Sequence, residues 1–206
     1  EEGLMDEVRI GGTSVHLLPV VRGPPSEAGT VRRAIEATRP AIVALSIGPE
    51  ELQTLRSYDG KPLGPENFEE EIYVAGLSAW ETPVKPPPCF SEAIRSAEAS
   101  GARVEAIDMD EVLYTDAYVE CVSPLQLVFQ GRMERRLRKK RFRATTPREF
   151  VLEWDAEVNG SPGFRRLQAQ REAFFASRLR ELSASGKTLA IIEVERAGGV
   201  LAALRP

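Results

Sequence analysis

Side chains that could do chemistry fall in short stretches, most of them beside apolar runs. Gly12-Thr13-Ser14-Val15-His16 follows Val8 and Ile10 and carries the only histidine of the chain. Ser46 to Gly48, Asp108-Met109-Asp110 and Glu195 to Gly199 follow three further apolar runs. His16 could act as a base or a metal ligand, because imidazole titrates near neutral pH and coordinates transition metals. The plainer reading of a lone histidine, a ring satisfied by backbone, is preferred. Asp108 and Asp110 could hold a cation or form an acid–base pair, since alternate strand residues share a face. The plainer reading, with Asp110 as a helix N-cap, is preferred. Ser46 lacks both a glycine-flanked nucleophile turn and a partner base, so it reads as a binding residue rather than a nucleophile. With a single histidine, a zinc site of paired histidines within one chain is excluded; a metal would need carboxylates or a symmetry mate.

Arg171 stands out for its helix phase. Leu167, Arg171 and Phe175 are spaced i, i+4, i+8, and Leu182 continues the stripe, so the guanidinium starts from the core side. A buried charge is costly unless paired. Arg171 is therefore expected to reach a carboxylate or a bound anion near the end of the first or last strand. Glu195 is the first choice of partner and Asp108 the second; the other reading of Glu195 is a solvated loop residue. Arg132 to Arg143, RMERRLRKKRFR, could contact nucleic acid, anionic lipid or an acidic partner. Aromatic interleaving is limited to Phe142, so a solvated helix face is preferred.

Placing these residues requires an α/β framework. Val8 to Ile10 reads as a first strand running into a turn at Gly11-Gly12, where glycine permits close backbone approach. Leu17 to Pro25 reads as a loop, and Ser26 as the N-cap of a helix closed by Arg39-Pro40. Ala41 to Ile47 is nearly all apolar, as expected of a strand covered on both faces. It should be a central strand, beside the first strand and one other. Gly101 ends a helix begun at Ser91, and strands follow at Arg103 to Ile107 and Thr188 to Val194. Thr82 to Cys89 is polyproline-like and makes the best internal boundary. Thr146-Pro147-Arg148-Glu149 is a capping box that opens a helix presenting Phe150 and Trp154. The whole reads as one α/β domain over 1–206, a mainly parallel sheet flanked by helices, with a helical insertion at about 110–160. That insertion is expected to form a homodimer interface or to cover the site. In such sheets ligands bind beyond the carboxyl ends of the strands, so a small molecule or peptide in a strand-end pocket is the expected partner.

Bulk composition excludes several classes. The chain has 206 residues, 42% hydrophobic and 28% charged, which suits a folded domain. A net charge of −4 argues against nucleic acid as a partner. No apolar run approaches the roughly 20 residues that span a bilayer. Cys89 and Cys121 have no metal-like spacing, and a reduced, cytoplasmic setting is the expectation.

The order of these pieces resembles the TraB/PrgY family, which includes the TIKI metalloproteases, from Ile10 to Leu204. Gly12-Thr13-Ser14-Val15-His16 is similar to the family's Gly-Thr-Ala-His with one residue inserted. Arg39 to Ile47 resembles its Pro-Asp and Val-Glu-Leu strand, with Ser46 in the place of the glutamate. Gly101-Ala102-Arg103-Val104 and Ile107-Asp108-Met109-Asp110 match the family's Gly-Ala-Arg-Val and Ile-Asp-Arg-Asp, with Met109 replacing an arginine. Gln170-Arg171-Glu172 resembles its Glu-Arg-Asp helix, and Val194 to Gly198 its closing Val-Gly-Ala-Gly-His, with Gly198 in the place of the histidine. The resemblance implies a metal-dependent peptidase ancestry. The candidate catalytic residues are His16, Arg171 and Glu195, the last standing where the family has a glycine, with Gly12, Thr13, Ser14, Ser46, Asp108, Asp110 and Gly198 as binding residues around them. The missing glutamate and second histidine, and the displaced His16, argue against surviving chemistry and against a resident metal, because a metallohydrolase needs ligands and a group to activate water. The expectation is a binding or regulatory protein that retains the ancestral pocket. The alternative is a hydrolase holding Mn²⁺ or another divalent ion with His16, Asp108, Asp110 and Glu195.

Overall fold

A computed structural model describes residues 5–205, apart from 62, 63, 66, 125, 127–132, 134 and 138. Strands β1 (Asp6–Ile10) and β2 (Thr13–Val20) are followed by α1 (Ser26–Thr38), β3 (Ile42–Leu45), α2 (Pro49–Arg56), α3 (Phe68–Leu77) and α4 (Pro88–Ser100). Then come β4 (Arg103–Ala106), α5 (Glu111–Cys121), α6 (Pro147–Val158), α7 (Pro162–Ser183), β5 (Thr188–Glu193) and α8 (Val194–Leu204). The five strands form one sheet in the order β1-β2-β5-β3-β4. All neighbours are parallel except β1, which pairs antiparallel with β2. This is an α/β fold with a mainly parallel sheet.

Alternation along the inner strands sends side chains into two cores. Leu18, Val20, Val43, Leu45, Leu189 and Ile191 pack under α1 and α4. Val15, Leu17, Ile42, Ala44, Ala190 and Ile192 pack under α7 and α8. Two-sided burial explains the unbroken apolar runs of β3 and β5. β3 is central, but its neighbours are β5 and β4 rather than the first strand. The last strand inserts between β2 and β3, a topology that strand patterning does not encode.

The amino-terminal expectations need correction. Gly11 and Gly12 have φ of 55° and 86° and turn a β-hairpin. The loop expected over Leu17 to Pro25 is strand as far as Val20, with Leu17 and Leu18 buried. Pro19 is tolerated there because the β1 ladder ends at Leu17, leaving β2 with β5 as its neighbour. Ser26 is not an N-cap. It is the first residue of α1, and its N–H and hydroxyl donate to Glu81 at 3.0 and 2.6 Å. At α6 the threonine cap holds, the N–H of Glu149 donating to Thr146 Oγ1 at 3.2 Å. The return bond to the Glu149 carboxylate comes from the N–H of Thr145, one residue earlier than a capping box requires, at 2.8 Å.

Within the expected insertion, α5 and α6 are helical, and α6 packs on α3 through an aromatic seam. Phe150 is buried, and Tyr73 meets Trp154 edge-on at 5.0 Å. Gly76 of α3 lies against the Phe150 ring, where a Cβ would fall 2.0 Å from Cζ. Two effects oppose each other in Gly76→Ala. Helix propensity favours alanine by about 1 kcal/mol, whereas overpacking costs about 1–3 kcal/mol. At 2.0 Å the clash wins, so Gly76→Ala should lower the urea midpoint; a raised midpoint would mean that the α3–α6 seam is looser than described.

Candidate functional site

The carboxyl ends of β2 and β5 open into a cavity of about 600 Å³. Its position follows from the topology. β2 leads into α1 on one face of the sheet and β5 into α8 on the other, so the two connections diverge and leave a crevice between them. Arg22 and Gly23, just after β2, form one wall, and Glu193 and Glu195, at the end of β5, form the floor. Tyr73 and Val74 of α3, the Pro83 to Pro87 segment and Trp154 of α6 complete it. The polyproline-like segment read as the best internal boundary therefore forms a wall of this cavity.

The electrostatics are those of charges forced together in a partly dry crevice. Arg22 donates from Nη1 to Glu193 and from Nη2 to Glu51, both at 2.9 Å. Burial opposes its charge, but these two carboxylates hold its pKa above the ordinary arginine value. The hydroxyl of Tyr73 donates to the Arg22 carbonyl at 2.9 Å, and burial raises its pKa well above that of a free phenol. Glu193 is 5% exposed, and its N–H donates to Ser46 Oγ at 3.2 Å. Ser46 is thus a buried brace between the ends of β3 and β5. Glu195, two residues on, has no hydrogen-bond or ion-pair partner beyond its own N–H among the described residues. Burial first, and the neighbouring Glu193 second, push its carboxyl up to about 8.

Arg171 reaches Asp108, not Glu195. Its Nε lies 3.2 and 3.3 Å from the two carboxylate oxygens, its Nη2 also bonds Oδ2, and Nη1 donates to Gln168 at 2.8 Å. The side chains are 18% and 10% exposed. Burial works against the charge on Arg171, and the Asp108 hydrogen bond more than restores it. Glu195 is not the partner because α8 begins at Val194, turning this carboxylate into the β2–β5 cavity. Asp110 caps α5, accepting the Leu113 N–H at 2.8 Å. Asp108 and Asp110 also line a second hollow of about 500 Å³ beside β4.

The remaining residues named from sequence lie elsewhere. Gly12, Thr13, Ser14 and His16 belong to the hairpin and the start of β2, the opposite end of the sheet from the cavity. Ser14 donates to Glu7. His16 faces Glu7 and Leu189 on the adjacent strands, burial lowers its pKa, and its Nε2 is shielded without a partner among the described residues. Gly198 is exposed on α8, and a Cβ there would meet no atom within 4 Å among the described residues. Among the described residues no group of three His, Cys, Asp or Glu side chains is placed to hold a metal ion. His16 stands apart from Asp108, Asp110 and Glu195, so this set does not fit one shared ion. Arg132 and Arg138 of the basic run lie outside the described residues; Lys140 bridges Glu153 and Glu157 at 3.1 and 2.8 Å.

Sequence reasoning missed Arg22, Glu51, Tyr73, Glu193 and Arg196, and read Trp154 only as part of an aromatic helix face. One signal was present: Glu193 is the sole charge inside the apolar run of the last strand. Arg196 is 5% exposed and pairs with Asp155 and with Glu172, the latter at 3.1 Å. No protein-family model matches the sequence, and no curated protein matches it significantly.

Removing one partner of a buried ion pair costs about 3–5 kcal/mol, because the other charge is left behind. Arg171→Ala and Asp108→Ala should each approach that cost in urea melts, whereas Arg135→Ala, at an exposed position, should stay within about 0.5 kcal/mol of wild type. Equal melts for Arg171→Ala and Arg135→Ala would refute the pairing. For Glu195, the folded pKa lies above the unfolded value of 4.5, so the folded state binds the extra proton. Its contribution to stability is therefore present below the unfolded pKa and declines as pH rises towards about 8. Between these limits Glu195→Gln should show a flatter stability-against-pH curve than wild type and greater stability at the alkaline end. Superimposable curves would mean that Glu195 is well solvated.

Proposed function

We propose that this chain is a divergent TraB/PrgY-like protein that binds a small molecule or peptide in the β2–β5 cavity and does not act as a metallohydrolase. The cavity carries this reading. It has the volume of a small-ligand site, its walls are largely apolar with a few convergent polar groups, and it lies where open α/β sheets bind ligands. The order of motifs, the mainly parallel sheet and the Asp108–Arg171 pair support the family reading. The separation of His16 from the carboxylates at the strand ends speaks against the metal-dependent alternative. The exposed Val112 and Val119 of α5, 69% and 72% accessible, are the surface favoured for a second copy of the chain.

The test is a set of neutral, acidic and basic aromatic fragments, followed through the indole N–H resonance of Trp154. Some fragments should shift that resonance, and Val74→Trp, which fills the cavity from α3, should abolish the shifts while leaving the fold intact. Shifts that persist in Val74→Trp, or no shift with any fragment, would remove the cavity as the site.

A further inference from the structure

The cavity's charge balance names the chemistry of its occupant. Glu193 and Glu195 form the cavity floor, with Glu51, Asp108, Asp155 and Glu172 behind it at this end of the sheet, and Glu69 and Glu70 line the opposite wall. Three guanidiniums answer those on and behind the floor: Arg22 with Glu51 and Glu193, Arg171 with Asp108, and Arg196 with Asp155 and Glu172. Lys85, on the cavity wall, is neutralised by Glu70 at 2.9 Å. Among the described residues, every carboxylate on or behind the floor has a cationic partner except Glu195, and Glu195 lines the cavity. Its neighbour Glu193 adds like charge on the same floor.

The walls carry a second and independent indication. Tyr73 and Trp154 stand edge to face at 5.0 Å, with Val74, Pro83 and Pro87 beside them. Aromatic rings attract a desolvated cation through their faces and also bury an apolar body. The Tyr73 hydroxyl is already committed to the Arg22 carbonyl, so this residue offers its ring rather than its oxygen. Nε1 of Trp154 is shielded and has no hydrogen-bond partner among the described residues.

Resting on the reading of the cavity as a ligand site, we propose that its occupant is an organic cation: an ammonium or guanidinium group on an apolar or aromatic body. Glu195 is the counter-ion, and Tyr73 and Trp154 are the walls. A positive group seated on Glu195 supplies the partner that this carboxylate lacks and relieves its repulsion with Glu193. An anionic ligand would add a further negative charge where carboxylates already outnumber guanidiniums. A metal ion is a poorer occupant, because no third ligand joins Glu193 and Glu195 among the described residues. The cation can belong to a free amine or to a basic side chain of a peptide, and the two share this chemistry.

Calorimetry with matched probes tests the inference. In mildly alkaline buffer, where Glu195 is ionised and the amine still charged, 2-phenylethylamine is compared with its neutral counterpart 2-phenylethanol. The amine should bind at least about tenfold more tightly, equivalent to about 1.4 kcal/mol. In Glu195→Gln the amine should lose that advantage, while the alcohol changes less than about twofold. Acetyl-Phe-Arg-amide carries the same kind of charge on a peptide. Tighter binding than 2-phenylethylamine assigns the site to a basic peptide side chain, weaker binding to a free amine. Equal affinity of amine and alcohol in wild type, or an amine preference that survives Glu195→Gln, overturns the organic-cation proposal and leaves the cavity standing as a binding site. If neither probe shifts the Trp154 resonance and no fragment does, the cavity reading itself fails.

Discussion

A carboxylate buried at the end of a strand is the constraint around which this end of the molecule is built. Glu193 follows five buried residues of β5 and is itself nearly inaccessible. A charge in that position is tolerable only with a close partner and saturated hydrogen bonds. Arg22 supplies the partner from the end of β2, and Glu51 holds the other side of that guanidinium from α2. Ser46 ties the Glu193 backbone to β3, and Tyr73 ties the Arg22 backbone to α3. Glu193 and its partner Arg22 thus join the ends of β2, β3 and β5 to α2 and α3. The crevice stays open because these polar groups bind one another across it instead of packing apolar side chains into it.

The same logic recurs at the other two arginines. Arg171 fastens α7 to the end of β4 through Asp108, and its guanidinium also lies 5.9 Å from the centre of the Tyr114 ring of α5. Arg196 fastens α8 to α6 and α7 through Asp155 and Glu172. The expected insertion is therefore no appendage. α6 brings Asp155 to a buried arginine and, one residue earlier, Trp154 to the cavity. Structural neutralisation and the shape of the site are coupled through adjacent positions of one helix.

Much of the fold was legible because it follows from local rules. Two-sided burial writes continuous apolar runs into β3 and β5, and the helix phase of Leu167, Arg171 and Phe175 points Arg171 inward. The order of strands was not legible, since neither β3 nor β5 records which neighbour it meets. The candidate site was legible only as a general location. Strand ends do hold the cavity, whereas the histidine and its glycines lie at the hairpin end of β2. A Gly-Gly pair reads equally as a ligand loop or a tight turn, and only the antiparallel partner β1 decides between them. Arg22 sits in a Pro- and Gly-rich stretch that looks like bare loop, and nothing local marks it as the partner of a residue 171 positions away. Glu195 was given the wrong neighbour, because the last strand was read as far as Val194, where α8 already begins.

The cavity and the Asp108–Arg171 pair lie apart at this end of the sheet. Asp108 and Arg171, the residues most like the resembled family's motif, are occupied with each other and secure α7 against β4. A paired carboxylate and guanidinium have little capacity left for a ligand, because each already satisfies the other's charge and hydrogen bonds. In the proposed reading the ligand duty lies on the far side of β3, between β2 and β5, where Glu195 has no cationic partner among the described residues. A binding site there needs no departure from this fold. It needs only that the two crossovers diverge at the end of β5, which this topology provides, and that one carboxylate there be left without an arginine.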